Sequence, residues 1–193
     1  MLRKCVLLGF VWAGCSGGEV GTYRIAPHLQ PGTGNCIECG IGLVMTAVPD
    51  GSGGSYRRHF YRDDFVKGGF TFKWGMEQVV ELEEEHYDSW GAQDDIGVRY
   101  HFVRLLESHP VEPDSRFEMR FDEAPPGHYP DDFLVRTEAG FELEGRERIQ
   151  CETQALCDQL ASLSPGEDAF GLGLSYPASE GGPLLLHSLR SLP

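Results

Sequence analysis

Turn chemistry cuts this chain into short runs. PDGSGGS at 49–55, KGG at 67–69, GAQDDIG at 91–97 and HPVEPD at 109–114 draw on Gly, Pro, Asp and Ser. These residues favour turns because they reach unusual backbone angles or hydrogen-bond to nearby backbone groups. With 25 Gly and 12 Pro in 193 residues, long helices are disfavoured and many short elements are favoured.

The runs between the turns read mostly as strands. GLVMTAV at 42–48 is apolar and partly β-branched, and 55–61 carries aromatics. Phe70 and Phe72 alternate around Thr71. In 77–87, Val80 and Leu82 stand at period two before an acidic, exposed half. The clearest strand is 99–107, with Tyr100, Phe102 and Arg104 on one face and His101, Val103 and Leu105 on the other. HPVEPD then reads as a seam. Beyond it Phe117, Met119 and Phe121 alternate, and 133–137 with 141–144 read as a hairpin around Glu138-Ala139-Gly140. The run 151–163 reads as a helix. Thr153 is its candidate N-cap, Leu156, Leu160 and Leu163 share a face, and Ser164-Pro165-Gly166 ends it. Two last strands, 170–176 and 183–189, flank a Gly-Gly turn. The expected fold is α+β and mostly β. An antiparallel β-rich domain spans 23–110, and a small ββαββ-like module spans 111–193 and needs a staple or a neighbour.

The N-terminus has the three parts of an export signal. Arg3 and Lys4 are basic, 5–12 is apolar, and Ala13-Gly14 supplies small residues for cleavage. The apolar run is far short of the roughly 20 residues that span a bilayer. Ala13-Gly14-Cys15 resembles the bacterial lipobox, although Trp12 stands where Leu is usual. The resemblance implies cleavage before Cys15, a lipid on its sulfur, and a tether over 15–22. Ser16 resembles an outer-membrane sorting signal, so the expected place is the periplasmic leaflet of the outer membrane. Cleavage nearby without lipid, giving a secreted protein, is the alternative.

Net charge is −14 at neutral pH, and removing Arg3 and Lys4 makes the mature chain more acidic still. Such a field repels phosphate backbones and anionic lipid heads. Nucleic acid is therefore not an expected partner. The expected partners are the membrane, through the N-terminal lipid, and another envelope protein.

Beyond Cys5 and Cys15, four cysteines remain for disulfides: Cys36, Cys39, Cys151 and Cys157. Cys36-Ile37-Glu38-Cys39 is a CxxC pair, but the residues after it read as strand, whereas a redox thiolate wants a helix N-terminus. A structural disulfide is favoured, with a zinc half-site completed by Cys151 and Cys157 as the other reading. On one continuous helix, Cys151 and Cys157 would stand about 240° and about 9 Å apart, too far to bond. If Cys151 precedes the N-cap they can meet, and that bond would staple the second half. In the acidic run 83–88, strand alternation puts Glu84, His86 and Asp88 on one side as candidate metal ligands. The plain reading of that run is the solvated end of a hairpin. Aromatics Phe60, Tyr61, Phe65, Phe70, Phe72 and Trp74 either line a groove or fill a core. GLGLS at 171–175 reads as strand, its glycines serving close backbone approach. No nucleophile elbow, phosphate loop or dinucleotide fingerprint is present, and no cofactor is implied.

Cys39, Phe60-Tyr61, Gly69-Phe70-Thr71-Phe72-Lys73-Trp74-Gly75, Val80-Glu81-Leu82 and Arg99-Tyr100-His101-Phe102-Val103 together resemble domain-of-unknown-function family 4377. The resemblance covers about 23–108. It implies a β-rich bacterial envelope lipoprotein domain and carries no catalytic residue. The expected function is a lipid-anchored, non-catalytic binding or structural role in the envelope. The alternative is a periplasmic thiol-redox or metal-dependent enzyme.

Overall fold

The structure, a computed structural model, describes residues 18–34, 40–50, 57–88, 96–112, 114–124 and 128–193. Five strands form an antiparallel sheet: β1 (Glu19–Gly32), β2 (Gly42–Pro49), β3 (Arg58–Tyr61), β4 (Met76–Asp88) and β5 (Ile96–Pro110). Their order is β3-β2-β1-β4-β5. A second sheet contains β6 (Arg116–Phe121), β7 (Leu134–Thr137), β8 (Gly140–Leu143), β9 (Glu147–Cys151), β10 (Phe170–Ser175) and β11 (Leu184–Ser191), in the order β6-β10-β11-β9-β8-β7. Its pairs are antiparallel except β9 with β11, which run parallel. The crossover between that parallel pair contains helix α1 (Gln154–Leu160). The protein is thus α+β and mostly β, with an antiparallel first sheet.

Three local readings change. Strand β1 starts at Glu19 inside the segment read as tether, and Glu19–Thr22 pair with Glu84–Glu81 of β4. Phe70 and Phe72 are buried but lie in a loop, not a strand. The acidic half of β4 is the exposed end of a hairpin, as read, and pairs with β5 through Asp88. Strand β9 adds a strand between the expected hairpin and the helix, and the helix starts at Gln154 rather than Cys151.

Buried residues of both sheets form one cluster. It runs from Ile25, Leu29, Met45 and Leu82 of the first sheet to Met119, Phe121, Leu172 and Leu186 of the second. Each fully buried aliphatic or aromatic side chain stabilises the fold by about 1.5–3 kcal/mol. The two sheets are also tied by polar groups. The Gln30 Nε2 donates to the Glu118 carbonyl at 2.6 Å, and the Arg120 N–H donates to Gln30 Oε1 at 3.0 Å. One amide side chain thereby supplies both halves of a strand-like pairing on the outer edge of β6. On the β2 side, Glu144 Oε1 accepts from the Leu43 N–H at 2.7 Å. Burial raises the pKa of that carboxyl.

GLGLS lies on β10, as read, but Gly171 and Gly173 make room for neighbouring side chains rather than for backbone. A Cβ on Gly173 would stand 2.2 Å from Ser188 Oγ on the paired strand β11. Cys151, the last residue of β9, is disulfide-bonded to Cys157 in α1. Thr153 caps the helix between them, its side chain accepting from the Leu156 N–H at 3.3 Å. The chain turns at that cap, so the two cysteines never share a continuous helix. Converting both to Ser should lower unfolding free energy by about 2 kcal/mol, the loop-closure value for so short a ring. Urea titration of the oxidised and double-substituted proteins measures this. A loss below about 0.5 kcal/mol would show that the cap and helix packing suffice without the bond.

Candidate functional site

A loop leading into β4 shapes the site. Its conformation follows from Gln78, which is 2% exposed. That side chain donates to the Thr71 carbonyl and accepts from the Lys73 N–H, both at 3.4 Å. The Gly75 N–H then donates to the Pro27 carbonyl of β1 at 2.9 Å, and Gly75 has φ of 73°. A Cβ at Gly75 would also press on Tyr176 at 3.3 Å, so glycine fits here on both counts. The result is a fixed Trp74 between the two sheets.

Phe117 of β6 is the hub of an aromatic cluster. It stacks on His28 of β1 (centroids 4.9 Å), on Tyr176 after β10 (4.7 Å) and on Trp74 (5.8 Å). Phe72 packs edge-on against Trp74 at 5.5 Å. The polar tips of the rings are engaged within the protein. Trp74 Nε1 donates to Glu147 Oε2 at 2.8 Å, and Glu147 Oε1 pairs with Arg62. Tyr176 Oη and His28 Nδ1 share a hydrogen bond of 3.2 Å. Burial pushes the Tyr176 phenol up to about 12, so at neutral pH it keeps its proton and can donate to His28.

Above this floor lies a cleft of about 620 Å³, lined in part by Trp74, Tyr176, Met76 and Pro110. Its far wall is the loop 177–182. The Arg148 Nη2 holds that loop by donating to the Gly181 carbonyl at 2.8 Å, and Lys73 Nζ meets Glu180 across the rim at 3.4 Å. The volume lies in the ordinary range of small-molecule sites. Both oxygens of Glu147, the best-buried carboxylate on the wall, are occupied by Trp74 and Arg62. That arrangement suits holding a ligand better than moving a proton.

The sequence-based candidates lie elsewhere. Cys15, Cys36 and Cys39 fall outside the described residues. Glu84 and His86 do come together, with His86 Nε2 3.3 Å from Glu84 Oε1, on the arm formed by β4 and β5. The side chain of Asp88 is outside the description. Among the described residues no three His, Cys, Asp or Glu side chains gather as a metal site. The aromatic run divides: Phe60, Phe65, Phe70 and Phe72 are buried, whereas Trp74 is half-buried at the cleft. His28, Glu147 and Tyr176 carried no sequence signal and Phe117 read only as a strand residue, because each comes from a separate strand or loop.

His28 also sets an acid limit on the seam. Burial lowers its pKa, and burial with Arg57 lowers that of His59. Above the unfolded value of about 6.5 both rings are neutral in either state, and stability is unaffected. As pH falls through that value, the unfolded chain takes up protons that the folded chain resists, so stability declines. Unfolding midpoints at pH 7.5 and 5.0 should show this decline, and His28→Phe should flatten it. An unchanged slope in the variant would mean that His28 is already open to solvent.

In comparisons with known proteins, the chain matches no family model, no curated protein and no solved structure.

Proposed function

We propose that this chain is a lipid-anchored protein of the bacterial cell envelope, probing a ligand through the cleft between its sheets without catalysing a reaction. The observation that carries the binding role is the fixed Trp74, seated in a cleft whose carboxylate and ring tips are already engaged. The anchor reading rests on the leader and on Ala13-Gly14-Cys15. With β1 starting at Glu19, a lipid on Cys15 would keep the first sheet near the membrane. The Cys151–Cys157 bond suits an oxidising compartment. The likeness to family 4377 belongs to the same reading, and its quoted residues from Phe60 onward fall on β3, the Trp74 loop, β4 and β5. The outer membrane, facing the periplasm, is the proposed location.

Mass spectrometry of the protein from its native membranes tests the anchor. The expected result is a chain that begins at Cys15 and carries a diacylglycerol thioether, with Cys15→Ala moving nearly all of it to the soluble fraction. A chain recovered soluble with its leader intact overturns the proposal.

A further inference from the structure

The cleft also narrows what it can hold. The usual donors of an aromatic groove, an indole N–H and a phenol O–H, are turned inward to Glu147 and His28. A proline-rich peptide, whose carbonyls take hydrogen bonds from such ring donors, therefore finds the rings themselves without one to give. Anions fit no better. Two cations on the lining, Arg62 and Lys73, face three carboxylates, Glu112, Glu147 and Glu180, and the whole chain is at −14. Arg62 is paired with Glu147 and Lys73 with Glu180, so an anion would meet a carboxylate beside each cation, whereas a neutral hydroxyl can bridge such a pair.

What the cleft does offer is a rigid indole beside a rim of side chains that accept and donate at short range. Trp74 is held by Glu147, Phe72 and Phe117 together, so a ligand stacking on it costs little additional ordering. Glu180, Ser179 and Lys73 edge the same space. A pyranose ring matches this pairing, with C–H groups on one face for the aromatic and hydroxyls around its perimeter for the rim. We infer that the cleft binds a neutral saccharide, stacked against Trp74 and hydrogen-bonded at its edge by the Lys73–Glu180 rim. This deepens the binding role proposed above and rests on it.

The test uses the whole mature chain labelled with 5-fluorotryptophan. Neutral oligosaccharides (N,N′-diacetylchitobiose, cellotriose and maltotriose) are titrated against a proline-rich peptide and inorganic phosphate. At least one sugar should shift the Trp74 fluorine resonance saturably, with a dissociation constant in the millimolar range or tighter. Saturation transfer to that sugar should weaken about tenfold in Trp74→Phe, the cost of a smaller ring without its Glu147 bond. Ala178→Trp, an exposed rim change away from the core, should abolish it while circular dichroism stays unchanged. No sugar shift at Trp74, or a shift that survives Ala178→Trp, overturns the inference. A shift from the peptide or from phosphate alone also overturns it and leaves the broader binding role standing. The lipid on Cys15 is read independently by mass, so the anchor and the saccharide fail separately.

Discussion

Phe117→Ala is expected to lower unfolding free energy by about 3–5 kcal/mol, the range for deleting a buried aromatic. The side chain is 8% exposed and stacks on three rings from three different segments. Its removal leaves His28, Tyr176 and Trp74 facing a void that β1 and β6 cannot close, because Gln30 fixes the spacing of those strands. Against a total of about 5–15 kcal/mol for a domain, such a loss can unfold the protein near body temperature. Phe117→Leu refills most of the volume and loses only the stacking, so it should cost about 1–1.5 kcal/mol. Urea titrations of the three proteins decide it. Equal losses for Ala and Leu would show that ring stacking, not filled volume, holds the seam, and losses under 1 kcal/mol for both would show that the cluster relaxes freely.

The second large effect is at Glu147. Its side chain is only 13% exposed, and it serves Trp74 and Arg62 at once. Glu147→Ala strands an indole N–H and a guanidinium that is itself only 27% exposed, for a cost of about 2–3 kcal/mol. Glu147→Gln keeps an acceptor for Trp74 but gives up the charge opposite Arg62, and should cost about 1 kcal/mol. The Trp74 indole proton, followed by NMR, should move upfield in the Ala variant and stay near its place in the Gln variant. If the two variants lose the same stability, the ion pair alone matters and Trp74 is not held by Glu147.

Most strands were legible because their apolar residues alternate or cluster between turn residues. That holds for β2, β5, β6, the β7–β8 hairpin, β10 and β11. Strand β1 was not, although it lies at the centre of the first sheet. Pro27 and Pro31 fall inside it, and a register shift between Ile25 and Leu29 breaks its alternation. Strand β9 was hidden for a different reason: in ERIQC only Ile149 is buried, so its sequence reads as polar. The Cys151–Cys157 bond was readable as a condition on where the helix starts, and Thr153 supplied that start. The cleft was not readable. Trp74 was one of six aromatics read alike as groove or core, and its partners at 28, 117, 147 and 176 meet only after both sheets have formed.

The strand order has a consequence for how the chain matures. β10 and β11 follow β6 to β9 in the chain, yet they separate β6 from β9 in the middle of the second sheet. Within that sheet, β6 and the β7-β8-β9 block are not joined until residues 170–191 have left the ribosome, so the complete sheet must await them. By the same logic, deleting β11 should leave the second sheet unfolded and open to proteases.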